Sequence, residues 1–183
     1  MSKIFVIGFH RTGTRSVNAA LQHLGYDVIH YPCPSTNEMS CDEIKNGPPW
    51  PIIDKCDGLS DIVTIPFHQR LYDEYPNSKF ILTIRKTNEW LRSVKSHLEN
   101  LKSISGLLSN DRILFDKIIH SMIYGADCVT DEERLRLFME HNTNVTKQYN
   151  SSELLVFDVC HGWPLLCQFL KVEIPPFKFP KIK

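Results

Sequence analysis

Residues 8–16 read Gly-Phe-His-Arg-Thr-Gly-Thr-Arg-Ser, directly after the apolar run Ile4-Phe5-Val6-Ile7. The run is short and rich in β-branched residues, as a buried strand is. Beyond the glycines, Val17, Ala20, Leu21 and Leu24 recur at the spacing of one helix face. A strand, a glycine-bounded turn and a helix N-terminus in that order build an anion cradle. Glycine lets the backbone close in, successive N–H groups point inward, and the helix end adds partial positive charge. The interval from Gly8 to Gly13 is that of a Walker A loop, but Thr14 stands where that loop carries lysine. A cation sits inside the loop instead, at Arg11. The expected ligand carries phosphate-like groups, and the loop is not built for an ATPase or GTPase.

Further along, strand and helix signals alternate, with no repeat and no linker long enough to divide domains. Gly25 stops the first helix, and Asp27-Val28-Ile29-His30 reads as a second strand. Residues 31–51 hold Pro48, Pro49 and Pro51 around Trp50 and read as a long loop with one helical turn near Met39–Lys45, in the manner of a lid. Gly58-Leu59-Ser60-Asp61 gives a third strand, followed by a helix from Pro66 to Glu74. Phe80 to Arg85 is the clearest later strand. A helix from Asn88 follows, with Trp90, Leu91, Val94, Leu98 and Leu101 on its apolar face. Thr130 and Glu133 form a capping box that opens a long helix through Tyr149. Leu154–Phe157 is a final strand and Trp163–Leu170 a final helix.

Such alternation implies one α/β domain over residues 1–183, a mainly parallel sheet of about five strands with helices on both faces. Ligands bind such sheets at the carboxyl ends of the strands. The residues that end each strand gather at that rim: His10 and Arg11, His30, Asp61, Arg85 and Asp158.

Charge is balanced, 21 basic against 21 acidic residues, which sets the chain apart from general nucleic-acid binders. No stretch approaches the roughly 20 apolar residues of a membrane span, and the first strand leaves no room for a signal peptide. A cytoplasmic protein is expected. The six cysteines have neither C-x-x-C pairing nor zinc-site spacing, so no metal is expected; Cys160 and Cys167 read as core residues. The oligomeric state is left open.

The loop Gly8–Ser16 resembles the 5′-phosphosulfate loop of sulfotransferases, in the subgroup that reads G-x-P-R-T-G-T-x-S. Ile81-Leu82-Thr83-Ile84-Arg85, with Trp90 and Ser93 beyond it, is similar to their 3′-phosphate motif. Leu155-Val156-Phe157-Asp158-Val159 and Gly162-Trp163-Pro164-Leu165-Leu166-Cys167 resemble their closing signature. The chain departs from the pattern at His10, where the subgroup has proline, at Arg15, at Lys86 and through residues 31–60. The resemblance implies a P-loop NTPase-like three-layer fold and 3′-phosphoadenosine 5′-phosphosulfate (PAPS) as donor. It implies donor contacts from His10, Arg11, Thr12, Gly13, Thr14, Arg15, Ser16, Arg85 and Ser93.

Sulfuryl transfer is an in-line displacement governed by positioning and charge stabilisation. The amides of residues 11–16 and the Arg11 guanidinium are expected on the 5′-phosphate and bridging oxygen, and Arg85 and Ser93 on the 3′-phosphate. No metal is called for. A base must take the proton of a small-molecule or glycan acceptor. Asp61 is the first candidate and His30 the second, ahead of His10 and His68. Tyr31 and Trp50 could stack on the acceptor. Two rival readings stay open, a silent nucleotide-binding scaffold of the same fold and an NTP-dependent kinase.

Overall fold

The computed structural model describes residues 2–125 and 129–182. Five parallel strands form one sheet in the order β2-β3-β1-β4-β5: β1 (Ile4–Val6), β2 (Val28–His30), β3 (Gly58–Ser60), β4 (Lys79–Thr83) and β5 (Leu154–Phe157). The chain leaves β1 through α1 (Thr14–His23), crosses to edge strand β2 and returns to β3 beside β1. It then runs to β4 on the other flank of β1. The order thus reverses about β1, so the loop after β1 opens at the switch point of the sheet.

Both faces of the sheet are covered, as its unbroken apolar strands require. Phe5, Ile7, Phe80 and Leu82 share one core with Phe115 and Ile119 of α6 (Asn110–Tyr124), Val145 of α7 (Asp131–Gln148) and Leu71 of α4 (His68–Glu74). Their neighbours Ile4, Val6 and Ile81 join Val17, Ala20 and Leu21 of α1 and Trp163, Leu166 and Cys167 of α8 (Trp163–Leu170). A third core lies beyond the carboxyl end of β1, where Phe9, Ile65 and Phe138 pack on Trp90 and Val94 of α5 (Thr87–Ile104). Trp90 stacks on Phe138 with ring centroids 4.1 Å apart.

Several expectations are corrected. The helical turn expected near Met39–Lys45 is present at Cys41–Asn46, but the segment 31–51 does not stand out as a lid. It holds a 3-10 turn at Pro34–Thr36 and two short helices, α2 (Cys41–Asn46) and α3, the latter running Pro51–Asp54. Ser40 caps α2 in a box with Glu43. Cys33, Met39, Ile44, Trp50 and Ile53 are buried in the core of the sheet, so the segment is a packed cover. The helix expected from Pro66 starts at His68, because Ile62–Phe67 winds as a 3-10 helix first. Helix α6 was not foreseen. Its apolar residues Ile113, Leu114, Phe115, Ile118, Ile119, Met122 and Ile123 wrap around most of its surface and leave no clean stripe. Cys167 is buried but Cys160 is exposed, on the 3-10 turn between β5 and α8; Cys128 lies outside the described residues. Among the described residues, no helix is long and apolar enough to cross a membrane.

Candidate active site

The loop after β1 is pinned from beneath. A Cβ on Gly8 would stand 1.9 Å from Thr83 Oγ1 and 2.6 Å from the Thr83 carbonyl oxygen, so only glycine lets the loop lie on β4. The Thr12 hydroxyl donates to the Phe9 carbonyl and bonds the Thr83 hydroxyl. Trp90 Nε1 donates to the His10 carbonyl at 3.0 Å. Gly13, at φ 104°, is the N-cap of α1 and meets Val159, which a Cβ would approach to 2.5 Å. With no side chain at the cap and no acidic residue in the first turn of α1, its open N–H groups face the rim.

The two expected phosphate regions are joined by hydrogen bonds. Arg11, held at φ 66°, donates from Nε to Ser93 Oγ at 3.0 Å. Arg85 donates from Nη1 to the Arg11 carbonyl at 3.2 Å and pairs with Glu89. Thr14 and Ser16 are buried in the first turn of α1, and Ser16 Oγ accepts from the Ile182 amide at 2.9 Å. Arg15 is exposed.

His10 and Thr12 turn away from this cluster. Thr12 is buried between the loop and β4, and its amide is bonded to the Phe9 carbonyl. The His10 ring lies 6.0 Å from that of His97, with its Nδ1 buried and unpartnered. Burial, then the nearby His97, pulls its pKa down to about 3, so this imidazole is neutral at neutral pH.

Asp61 and His30, weighed as rival bases, touch. Parallel pairing sets His30 beside Ser60, and Asp61 at φ 84° turns its carboxylate back across the strand. His30 Nε2 lies 3.2 Å from Asp61 Oδ2, and His30 Nδ1 lies 2.9 Å from Ser60 Oγ. Ser60 donates its single proton to Asn18 Oδ1 at 2.9 Å, so it accepts from His30 Nδ1. His30 Nε2 and Asp61 Oδ2 then face each other at hydrogen-bond distance. Asp61 Oδ1 is buried and has no partner. A positive φ at a non-glycine residue costs on the order of 1–3 kcal/mol and persists where the surroundings over-determine it.

Compared with known protein families, the sequence matches the sulfotransferase domain from residue 3 to residue 183. This chain belongs to the sulfotransferase family. It is a transferase with an activity of the sulfotransferase type. The domain is also 27% identical over 208 residues to "Ava biosynthesis cluster protein M" of Aspergillus versicolor, covering 98% of this chain and 80% of that protein.

The remaining expected residues of this sulfotransferase have structural work. Trp50 packs edge-on against Phe67 at 5.1 Å and donates to the Glu43 carbonyl, so it cannot stack on an acceptor. Tyr31 donates to Asp116 under the Arg112 guanidinium, which lies 4.6 Å from its ring. Burial and Asp116 push the Tyr31 pKa up and keep the phenol neutral. His68 bonds the Tyr149 hydroxyl at 2.8 Å and points away from the rim. Asp158 accepts from the Cys160 amide and fixes the turn before Gly162.

Asn18, Ser60, His97 and Tyr124 were missed. Asn18 is a polar residue on the buried face of α1, one turn past Thr14, and His97 is one turn past Ser93; both spacings are visible in sequence. Among the described residues, no group of three or more His, Cys, Asp or Glu is placed to hold a metal ion.

Proposed function

We propose that this domain transfers a sulfuryl group from PAPS to a hydroxyl or amine acceptor and releases adenosine 3′,5′-bisphosphate. Arg11, Ser93 and Arg85 carry this proposal, because they join the open N-terminus of α1 to a second cationic position on the same rim. A bisphosphate needs two such anion positions; a simple nucleoside diphosphate does not. The amides of Gly13, Thr14, Arg15 and Ser16 would hold the 5′-phosphate, with the Thr14 and Ser16 hydroxyls. Arg11 would meet the charge that grows on the bridging oxygen, and Arg85 and Ser93 would hold the 3′-phosphate. His10 and Thr12 shape the loop.

Bound there, the donor supplies the sulfuryl group: its S–O bond to phosphate breaks as a bond from sulfur to the acceptor oxygen or nitrogen forms. Asp61 Oδ1 takes the acceptor proton, and His30 orients the carboxylate through Oδ2. Arg11 and the amides meet the charge for which a kinase uses a bridging cation, so the proposal includes no metal. The relative from Aspergillus versicolor is named for a biosynthesis cluster, which favours a small biosynthetic molecule over a glycan as acceptor. The five described cysteines are all free, which suits the reducing cytoplasm.

Calorimetry with adenosine 3′,5′-bisphosphate, ADP and GDP, with and without Mg²⁺, tests the donor. Metal-independent preference for the bisphosphate is expected, and Mg²⁺-dependent preference for ADP or GDP would replace this proposal with a kinase. Transfer of label from PAPS to an acceptor library then separates an enzyme from a silent scaffold.

A further inference from the structure

We propose that the acceptor is an uncharged molecule with at least two hydroxyl groups, held in a polar seam between the loop after β1, Asp61, α5 and α6, and lined by His10, His97 and Tyr124. This inference rests on the sulfuryl-transfer reading and names the substrate class for it. Four buried side-chain polar atoms of the described residues lack a hydrogen-bond partner: His10 Nδ1, Asp61 Oδ1, Tyr124 OH and Asn142 Oδ1. A buried polar group left unpaired costs about 1–3 kcal/mol, and such groups concentrate where a ligand completes them.

Three of the four converge. The third core contains Phe9, the neighbour of His10; Ile62, the neighbour of Asp61; and Tyr124 itself. Val94 and Leu98 of the same core flank His97 on α5. The His97 ring lies 6.0 Å from that of His10, and the Tyr124 ring lies 6.1 Å from that of Phe9. The Arg11 charge adds to burial in lowering the His97 pKa, while Asp61 and Asp116 oppose it. The seam therefore begins at the proposed base and runs inward to Tyr124.

Charge selects the ligand. His10 and His97 are held neutral by burial, and burial holds the Tyr124 phenol protonated. An anionic ligand would stand beside the Asp61 carboxylate. A cationic one would stand beside Arg11 and Arg134, both of which bear on His10. A hydroxyl carries no charge and both gives and accepts a hydrogen bond. One hydroxyl can give its proton to Asp61 Oδ1, the bond needed for transfer, while another accepts from Tyr124 and gives to His10 Nδ1.

The test uses the full chain saturated with adenosine 3′,5′-bisphosphate, whose own affinity is measured first. Catechol, resorcinol, hydroquinone and phenol are titrated in, with the histidine ring resonances read by NMR. At least one diol should bind tenfold or more tightly than phenol. Tyr124→Phe should remove that advantage while leaving phenol and bisphosphate affinities within twofold. Equal affinity for all four probes would overturn the proposal, as would tighter binding of 3-hydroxybenzoate or tyramine than of the best diol. A diol advantage that survives in Tyr124→Phe and His97→Phe would also overturn it. Failure of the bisphosphate to bind would instead count against the donor reading, and the same titration on the free protein would still report on the seam.

Discussion

Arg11 and Ser93, 82 residues apart in sequence, are joined by a 3.0 Å hydrogen bond that ties the phosphate loop to α5. Since Arg11 sits at a positive φ, the loop needs this tether to aim the guanidinium along the rim. Ser93→Ala should therefore weaken both adenosine 3′,5′-bisphosphate and adenosine 5′-phosphate by roughly two- to tenfold, the worth of one hydrogen bond, with the larger loss for the bisphosphate, whose 3′-phosphate also loses the Ser93 hydroxyl. Calorimetry with both nucleotides checks it. Loss confined to the bisphosphate would show that Ser93 acts on the 3′-phosphate alone.

Arg85 should behave differently. Its Nη1 reaches only the Arg11 carbonyl, and its Nε pairs loosely with Glu89 at 3.5 Å on an exposed surface. A 3′-phosphate offers it a better partner. Arg85→Ala should cost the bisphosphate roughly tenfold to a hundredfold in affinity, as loss of a charge-assisted hydrogen bond does. Adenosine 5′-phosphate should change by less than about twofold, within the spread of a surface substitution. Parallel loss for both nucleotides would mean that Arg85 supports the loop through Arg11.

How far the site was legible in sequence follows from how local each part is. The loop could be read because Gly8, Gly13, the apolar run before them and the helix after them are contiguous. The rim could be listed because every strand runs the same way. The His30–Asp61 contact could not be read. It depends on the β2–β3 register and on Asp61 turning at φ 84°, so two residues in contact looked like competitors. Tyr124, which the proposed acceptor seam uses, was hidden because α6 lacks a stripe. Prolines around Trp50 suggested an open lid, while Met39, Ile44 and Trp50 instead carry the segment into the core.

Acid should destabilise the fold before the carboxylates are all protonated. Burial pulls the His68 pKa from 6.5 to about 4, and that of His10 to about 3. Between 6.5 and those values the unfolded chain takes up protons that the folded chain refuses, so acidification favours unfolding. The stability these neutral rings allow is complete above pH 6.5 and declines as pH falls toward 4, by at most about 1.4 kcal/mol per pH unit for each ring. Urea denaturation of the native chain and of His68→Gln at pH 7, 6, 5 and 4 checks this. The gap between the two should narrow or reverse toward pH 4 as the native chain loses more; parallel curves would show that His68 carries no such cost.

Asp61 and His30 should fail together in turnover and leave binding intact. Asp61→Asn keeps the shape of the side chain but removes the lone pair that takes the acceptor proton at Oδ1. Turnover of labelled PAPS should fall by roughly a hundredfold or more, the usual range for loss of a general base. Affinity for adenosine 3′,5′-bisphosphate should be unchanged, because the phosphate-facing groups belong to the loop, α1, Arg85 and Ser93. His30→Gln keeps a polar group toward Ser60 but loses the imidazole contact that orients Oδ2, so kcat should fall less than in Asp61→Asn with a similar acceptor KM. The double variant should then be no slower than Asp61→Asn alone, since His30 acts only through Asp61. Near-normal turnover in Asp61→Asn with collapse in His30→Gln would transfer the role of base to the imidazole.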